Sequence, residues 1–393
     1  MPAMPSRPNR PVYLDNQATT PLDPRVWQAM VPFFTEHFGN PHSAEHAMGR
    51  FAEDAVEQAR AHVAALIGAE PREIVLTSGA TEANNLAIKG AARFAAAQGS
   101  PRRRVVTVAT EHKCVLEAVA DLAAEGFEPV VLPVGRDGLL DMAVLEQALE
   151  TPTLLVSAMA VNNEIGVIHD LAAIGRLTRA KGALFHCDAA QGVGKIQLNV
   201  NDFQIDLMSI SGHKLYGPKG VGALYVRRRP RARIAPLFSG GGQERGLRSG
   251  TLATPLVVGL GEACRIAGAE MALESGRIAG QRDRFLDALG RDLPGIVVNA
   301  DRERRIPGNL NITFPSASAA ALMAELPDLC VSTGSACSSA EVEPSYVLRA
   351  IGLSEDAAAR TLRVGLGRFT SPADIDYAAA ALAAAHAAVA ARA

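Results

Sequence analysis

The chain has 393 residues, of which 48% are hydrophobic, so it can bury a sizeable core and is long enough to form two domains. Its 39 Lys and Arg residues nearly balance its 41 Asp and Glu residues. The resulting net charge of -2 disfavours partners that require a large uniform field, such as nucleic acid or an anionic membrane. No apolar run approaches membrane-spanning length. A small polar ligand is therefore the better expectation.

The N-terminal residues and the cysteine content both indicate the cellular location of the protein. Residues 1–11 are rich in Pro and Arg and contain no apolar segment, so we expect a disordered lead-in and no signal peptide. Five cysteines are scattered along the chain, and an odd number in a chain of this size disfavours a disulfide framework. We therefore expect a reduced, cytoplasmic location.

The first long element is a predicted helix, followed by alternating strands and helices. Apolar residues recur at helical spacing from Ser43 to Ile67, with Ser43 as the expected N-cap and Gly68 just past the end. Helices are also predicted at 83–92, 116–124 and 171–180, and buried strands at 74–77, 105–109, 130–134, 154–158, 184–187, 207–210 and 221–226. This alternation predicts an α/β fold with a mostly parallel sheet, whose ligands bind at the carboxyl ends of the strands.

The pattern changes after about Thr254. A helical stretch comes first, then a strand region at 307–314, a loop around Cys337, and an Ala-rich helix from about Pro372. We therefore predict a large cofactor-binding domain at residues 17–262. Residues 1–16 and 263–393 are predicted to form a smaller α+β domain that carries the Cys337 loop.

A lysine follows the predicted strand at 207–210. Most lysines are solvated surface charges, and Lys214 alone would be interpreted in that way. Its neighbours change this interpretation, because Ser211 and His213 are suited to donate hydrogen bonds to a phosphate and Gly212 lets the backbone pass close. A lysine in a confined site can lose its proton and react with a carbonyl.

The preceding strand, at 184–187, delivers Asp188 to the same edge of the sheet. A carboxylate at this place could ligate a metal, act as a base, or pair with a protonated ring nitrogen. We expect no metal, because no second carboxylate or suitably spaced His flanks Asp188. The ring nitrogen of lysine-bound pyridoxal phosphate pairs with an Asp of this kind.

Three glycine-containing segments are candidate ligand loops. The strand at 74–77 leads into residues 78–82 at a helix start, where backbone N–H groups and the helix dipole suit a phosphate. Ser and Thr cap many helices, so this signal depends on its agreement with Lys214 and Asp188. Residues 259–263 lack the third glycine of a dinucleotide fingerprint and a following ribose-binding acid, so we exclude that cofactor. Residues 239–243 form a flexible loop, either a lid or a linker.

Cys337 differs from the other cysteines in its surroundings. It stands among Ser, Gly and Ala residues, which predicts an exposed thiol able to act as a nucleophile. Cys330 lies in an apolar run and is expected to be a small buried hydrophobe. Cys114, Cys187 and Cys264 lie in or beside predicted strands and helices, so we interpret them as mainly structural. For Cys114 the structural interpretation is the weakest of the three, because Cys114 is two residues from His112.

Together these motifs resemble the IscS/NifS-like cysteine desulfurases, which are fold-type I pyridoxal-phosphate enzymes of the class V aminotransferase family. The resemblance depends on Asp188 with Gln191 and on residues 211–214, 334–339 and 343–346. It covers nearly the whole chain, from residues 13–21 through 39–41 to 366–370. Several long motifs in one order make chance agreement very improbable.

The resemblance implies a role for each of several residues toward the cofactor pyridoxal 5'-phosphate. Lys214 would bind it covalently, Asp188 would contact the ring nitrogen and Gln191 the ring hydroxyl. His112 would stack on the ring and assist proton transfer, and Asn163 would lie near the cofactor and substrate.

The resemblance also implies a homodimer with sites near the subunit interface. The phosphate would be held by Ala80, Thr81, Ser211 and His213, joined by Thr251 from the other subunit. Arg363 would bind the substrate carboxylate, a role that suits a planar bidentate guanidinium.

The implied reaction converts L-cysteine to L-alanine and places the sulfur on Cys337 as a persulfide. The sulfur would then pass to an acceptor protein, such as an iron–sulfur scaffold. A selenocysteine lyase or an aminotransferase of the same fold would use Lys214 and Asp188 without requiring Cys337. A sulfur carrier that merely keeps the fold would require neither Lys214 nor catalysis. Nucleic acid and membrane are not expected as partners.

Overall fold

A computed structural model describes residues 9–333 and 345–392. Its strands are β1 (Val12–Tyr13), β2 (Ile74–Thr77), β3 (Arg104–Val108), β4 (Glu128–Leu132), β5 (Thr153–Ser157), β6 (Leu184–Asp188), β7 (Leu207–Ser211), β8 (Gly222–Val226), β9 (Val297–Val298), β10 (Asn309–Thr313), β11 (Leu329–Cys330) and β12 (Thr361–Gly365). Its helices are α1 (Pro24–Met30), α2 (Pro32–Thr35), α3 (Ala47–Leu66), α4 (Ala80–Ala97), α5 (Lys113–Asp121), α6 (Met142–Ala148), α7 (Leu171–Ala180), α8 (Thr254–Asp292), α9 (Ala319–Ala324), α10 (Tyr346–Ala350), α11 (Glu355–Ala359) and α12 (Pro372–Ala390).

The large sheet has seven strands in the order β2-β8-β7-β6-β5-β3-β4. All neighbouring pairs are parallel except those of β8, which runs antiparallel to both β2 and β7. The prediction of a mostly parallel sheet is therefore confirmed. The predicted burial of the strand at 130–134 is wrong, because β4 is an edge strand and Val131 is 53% exposed.

The helix predicted from Ser43 begins four residues later. In the structure His46 is the N-cap of α3, and its Nδ1 accepts a hydrogen bond from the backbone N–H of Gly49. Ser43 as the cap is therefore a wrong prediction; the imidazole takes the position that Ser or Asp more often fills. The other end agrees with the sequence, since α3 ends at Leu66 and Gly68 has a φ of +69.

Helices cover both faces of the large sheet. One hydrophobic core contains the apolar face of α3 and another contains that of α4, and sheet strands contribute to both. The glycine pair Gly259 and Gly261 lies inside α8. A Cβ on Gly261 would come 2.4 Å from the Ala59 Cα, so this glycine allows α8 to pack closely on α3. The segment is thus a helix-packing contact, which agrees with the exclusion of a dinucleotide site there.

A third core lies around the three-stranded sheet β12-β10-β9 and the terminal helix α12. Strand β1 contributes to it, since Val12 pairs in parallel with Leu329 of β11. Helix α8 joins this core to the core that contains α3: Leu260 is buried in the α3 core and Phe285 in the α12 core. The division at residue 262 therefore falls within a continuous helix, and the two-domain boundary stays a prediction.

Within residues 9–333 and 345–392 no helix is both long and apolar enough to cross a membrane. In the same part of the chain no group of three or more His, Cys, Asp and Glu side chains is placed to hold a metal ion.

Candidate active site

A cavity of about 510 Å³ opens at the carboxyl ends of the central strands. Ten of the residues singled out in the sequence line it: Ala80, Thr81, His112, Asn163, Asp188, Gln191, Ser211, His213, Lys214 and Arg363. These residues come from both halves of the chain and from helices, strands and turns. The structure therefore brings together most of the candidate site, at the sheet edge where a parallel α/β fold binds ligands.

Lys214 ends a single 3-10 turn that directly follows β7. Its Nζ donates hydrogen bonds to the backbone oxygens of Gln17 and Ala18, at 2.8 and 2.6 Å. A Cβ on Gly212 would come 2.8 Å from the Pro218 carbonyl oxygen, so glycine permits this tight turn. The amine is thereby held at the cavity wall by a segment that the sequence did not mark as part of the site.

Asp188 is the last residue of β6, the strand next to β7, and is 4% exposed. Its Oδ1 accepts a hydrogen bond from the Ala190 backbone N–H at 2.9 Å, and its Oδ2 accepts one from the Asn84 side chain at 2.7 Å. Hydrogen bonds of this kind fix the direction of the carboxylate. Asp188 is thus a buried carboxylate whose direction is fixed by two hydrogen bonds, and such a group suits a protonated ring nitrogen.

The start of α4 supplies the third group of contacts. Ala80 and Thr81 lie in its first turn, after an N-cap Gly79 whose φ of +152 favours glycine. His213 lines the same cavity, and burial together with the nearby Lys214 lowers its pKa to about 4. The imidazole is therefore neutral near pH 7 and keeps one N–H to donate. A helix N-terminus with backbone donors and a neutral imidazole is suited to a phosphate.

Gln191 is oriented by a lysine that the sequence interpretation missed. The Lys195 Nζ donates to the Gln191 Oε1 at 2.8 Å, while the Gln191 Nε2 donates to the Gln17 carbonyl at 2.8 Å. Burial, with Lys214 and Arg363 nearby, lowers the pKa of Lys195 to about 7. Because an ammonium or amine donates hydrogen bonds, Lys195 determines which end of the amide faces it.

Arg363 comes from β12 of the smaller sheet and is 3% exposed. Its guanidinium contacts Asp15 Oδ1 at 2.8 Å and donates to the Asn163 carbonyl oxygen at 3.0 Å. Among the described residues, its Nε and the Oδ1 of Asn163 have no hydrogen-bond partner although both atoms are buried. Buried polar atoms normally have partners, so these two indicate a place for a polar ligand.

His112 caps α5 and faces a thiol. Its Nδ1 accepts a hydrogen bond from the Cys114 backbone N–H at 3.2 Å and lies 3.0 Å from the Cys114 Sγ. Cys114 lines the cavity, so it is a further candidate site residue, and its interpretation as mainly structural stays a prediction. Its closeness to His112 in the sequence was the available signal. Cys187 and Cys264, in contrast, are fully buried, which agrees with the expected structural role.

Two predicted site residues lie elsewhere. Thr251 is exposed and does not line the cavity of its own chain. Cys337 lies outside the described residues. Cys330, expected to be buried, is only partly buried in β11.

The side chains of the cavity fit pyridoxal phosphate. An amine that can bind an aldehyde, a buried carboxylate for the ring nitrogen and a helix N-terminus for the phosphate lie around one space. Asn163 Oδ1 and Arg363 Nε, which lack partners within the described part of the chain, add polar groups for a second, smaller ligand. The donor set therefore matches a cofactor and an amino-acid carboxylate in one cavity.

Comparisons with known proteins agree with this geometry. The sequence profile described as aminotransferase class-V matches residues 12–378, and the chain belongs to this family. A cysteine desulfurase IscS from Rickettsia bellii (strain OSU 85-389) is 54% identical over 94% of this chain and 89% of its own length. A cysteine desulfurase from Homo sapiens is 55% identical over 94% of this chain and 80% of its own length. A solved structure titled NIFS-LIKE PROTEIN has a TM-score of 0.89 and 35% identity, and the match covers 96% of this chain and 99% of that one.

These matches confirm the resemblance inferred from the motifs and the fold-type I architecture. They also confirm pyridoxal phosphate as the cofactor, since the family and its desulfurase members depend on it. The roles of the individual cavity residues remain predictions.

Proposed function

We propose that this chain is a pyridoxal-phosphate-dependent cysteine desulfurase that converts L-cysteine to L-alanine. The observation that carries the proposal is the convergence of Lys214, Asp188 and Arg363 on one cavity. These three residues supply an amine for the cofactor, a carboxylate for its ring and a guanidinium for an amino-acid substrate. Relatives named cysteine desulfurase, at 54% and 55% identity over 94% of the chain, support the same activity.

Bound pyridoxal phosphate supplies an electron sink for negative charge that develops at the substrate α-carbon. Lys214 would hold the cofactor through Nζ and would take the substrate α-proton on the same atom. Asp188, held by Asn84 and the backbone, would pair with the ring nitrogen of the cofactor and keep it protonated. Arg363 pairs with the substrate carboxylate and thereby orients the α-carbon toward Lys214.

Cys337 is the proposed sulfur acceptor. Its thiolate forms a bond to the substrate sulfur while the carbon–sulfur bond of the substrate breaks. The electron pair of that bond stays with the carbon, which takes up a proton and leaves as the methyl group of alanine. Cys337 retains the sulfur as a persulfide, and no external oxidant or reductant is required.

The test is alanine formation from L-cysteine by the purified protein loaded with cofactor. Cys337→Ala should retain the cofactor's visible absorbance and lose at least about 100-fold in alanine release, because the thiol nucleophile is gone. Cys264→Ala, which removes a thiol buried in α8, serves as the matched control and should stay near the wild-type rate. Undiminished turnover by Cys337→Ala would contradict the proposal.

The same assay separates the alternative functions. A selenocysteine lyase would release alanine from selenocysteine and little from cysteine, and an aminotransferase would require an oxo-acid acceptor. A sulfur carrier that only keeps the fold would tolerate Lys214→Ala. A desulfurase should lose both its visible absorbance and its activity in that variant.

The proposed enzyme is a homodimer. An exposed aromatic surface supports this, formed by Trp27 (52% exposed), Phe34 (53%), Phe38 (72%) and Phe51 (47%). Large exposed apolar patches are typical of interaction sites. Thr251 also fits a dimer, because it is exposed outside its own cavity and can complete the phosphate site of a partner only from across an interface.

Mixing two inactive variants tests the role of Thr251. Refolding Lys214→Ala together with Thr251→Ala should create mixed dimers with one intact site, whose lysine and threonine come from different subunits. Activity should then exceed that of either variant alone. If the mixture is no more active than Thr251→Ala by itself, Thr251 does not act across the interface.

A cytoplasmic location and an acceptor protein for the sulfur, such as an iron–sulfur scaffold, complete the proposal. The four described cysteines, Cys114, Cys187, Cys264 and Cys330, are all free thiols, which supports a reducing compartment. Relatives named IscS support an assembly role for the transferred sulfur. Trapping the persulfide form with candidate acceptor proteins tests this part directly.

A further inference from the structure

Asn84 connects two groups that line the cavity. It lies in α4, is fully buried, and its Nδ2 donates to Asp188 Oδ2 at 2.7 Å and to Cys114 Sγ at 3.2 Å. An amide nitrogen carries two hydrogens, so it can serve both acceptors at once. Reversing the amide would place its oxygen against the Asp188 carboxylate. Asp188 therefore determines which end of Asn84 faces the thiol.

Cys114 continues the connection to His112. The backbone N–H of Cys114 donates to His112 Nδ1 at 3.2 Å, so Nδ1 acts as an acceptor and carries no proton. The proton of the neutral ring is then on Nε2. The Sγ of Cys114 lies 3.0 Å from the same Nδ1. Because Sγ accepts from Asn84, its own S–H is available to donate to His112.

We propose that Cys114 and Asn84 are positioning residues that join His112 to Asp188 in one chain of hydrogen bonds and keep the proton of His112 on Nε2. The inference depends on the proposed function, because it assigns these residues to the site where Asp188 and His112 act on the cofactor. Neither residue touches the reacting atoms. Both act through the groups that they orient.

The chain has a consequence for proton transfer. A protonated His112 would carry hydrogens on both ring nitrogens, so Nδ1 would lose both of its donors. The connection therefore favours the neutral ring with a donor at Nε2. Glu111 and Glu164 interact electrostatically with His112, and the charged residues Asp188, Lys214 and Arg363 line the same cavity. They are the same in all variants below, and burial raises the pKa of Glu111 and of Glu164.

The test follows the His112 ring by nuclear magnetic resonance in protein with isotope-labelled histidine, both with and without cofactor. The wild type should show the Nε2–H form of the neutral ring. In Cys114→Ala the pH midpoint for protonation of His112 should rise by about half a unit to one unit, because the neutral ring loses one hydrogen bond. Cys114→Ser keeps a donor and should recover at least half of that change.

A double-mutant cycle distinguishes a connected chain from two separate contacts. Asn84→Ala should raise the midpoint in the wild-type background and leave it unchanged, within about 0.2 unit, in Cys114→Ala. Cys264→Ala is the control for loss of a thiol and should show the wild-type midpoint. The pH dependence of kcat/KM for alanine formation should shift in parallel with the midpoint.

Two results would overturn the inference: an unchanged midpoint in Cys114→Ala, or equal shifts by Asn84→Ala in both backgrounds. If Asn84→Ala does not fold, the comparison of Cys114→Ala with Cys114→Ser decides alone. The outcome is separate from that of the proposed function. Wild-type protein that forms alanine while its variants show no shift retains the desulfurase assignment and loses only this chain.

Discussion

Two buried arginines, Arg60 and Arg363, pair with carboxylates in different surroundings. Arg60 contacts Glu244 through two nitrogens at 2.7 and 2.8 Å and also donates to the Ile74 carbonyl oxygen. Arg363 contacts Asp15 through one nitrogen, and its buried Nε has no partner among the described residues. Arg60 is therefore satisfied by the fold itself, whereas Arg363 keeps hydrogen-bonding capacity at the cavity wall. A buried charge in an α/β protein can thus be assigned to architecture or to binding by counting its partners.

The Arg60 pair should be the more important of the two for stability. Arg60→Met should lower the free energy of unfolding by about 3 to 5 kcal/mol, because Glu244 is left as an uncompensated buried charge. Urea unfolding followed by circular dichroism measures this change in the free energy of unfolding. Arg265→Met is the control, since Arg265 is 52% exposed in its side chain and pairs with Glu262 at the surface, where about 0 to 1 kcal/mol is expected. A change below about 1 kcal/mol for Arg60→Met would remove the contrast between the two arginines.

The Arg363 pair should matter for substrate binding. Arg363→Lys keeps the positive charge near Asp15 but cannot make the planar bidentate contact proposed with the substrate carboxylate. The KM for cysteine should therefore rise about 100-fold, while the free energy of unfolding changes little. Arg360→Lys, three residues away and paired with Asp356 at the surface, is the matched control. Steady-state alanine formation measures the KM of both variants. A KM within about threefold of wild type would show that Arg363 has the same structural role as Arg60.

Lys195 is a third cation beside the cavity, and its effect on stability depends on pH. Its pKa is lowered from 10.5 to about 7, so between these pH values the unfolded chain binds one proton more than the folded chain. Its contribution to stability therefore increases with pH in this window, by up to about 1.4 kcal/mol per pH unit. In cofactor-free protein, the stability of wild type relative to Lys195→Met should increase from pH 7 toward pH 10. A difference that is independent of pH would contradict the lowered pKa.

Local patterns in the sequence predicted the elements that carry the site. The strand Ile74–Thr77 and the helix Leu171–Ala180 agree with the structure residue for residue. Asp188 and Lys214 could be placed together because they follow consecutive buried strands, which are neighbours in the sheet. The spacing of apolar residues was sufficient to predict these elements, and the position where each strand ends was sufficient to predict where the site residues lie.

Contacts between distant segments could not be predicted in this way. The carbonyl oxygens of Gln17 and Ala18 bind Lys214 across almost 200 positions, and nothing in their residue types marks them. Asn84 and Cys114 meet because α4 packs beside α5, and their separation of 30 residues has no local signature. Such contacts depend on how whole helices pack, which the sequence of one segment does not determine.

The most direct test of the desulfurase assignment is one turnover with cysteine that carries a heavy sulfur isotope, followed by mass spectrometry of the digested protein. The account predicts one heavy sulfur atom on the peptide that contains Cys337, together with an equal amount of alanine. The cavity thiol Cys114 should remain unmodified. Alanine formed without sulfur on Cys337, or heavy sulfur found on Cys114 instead, would contradict it.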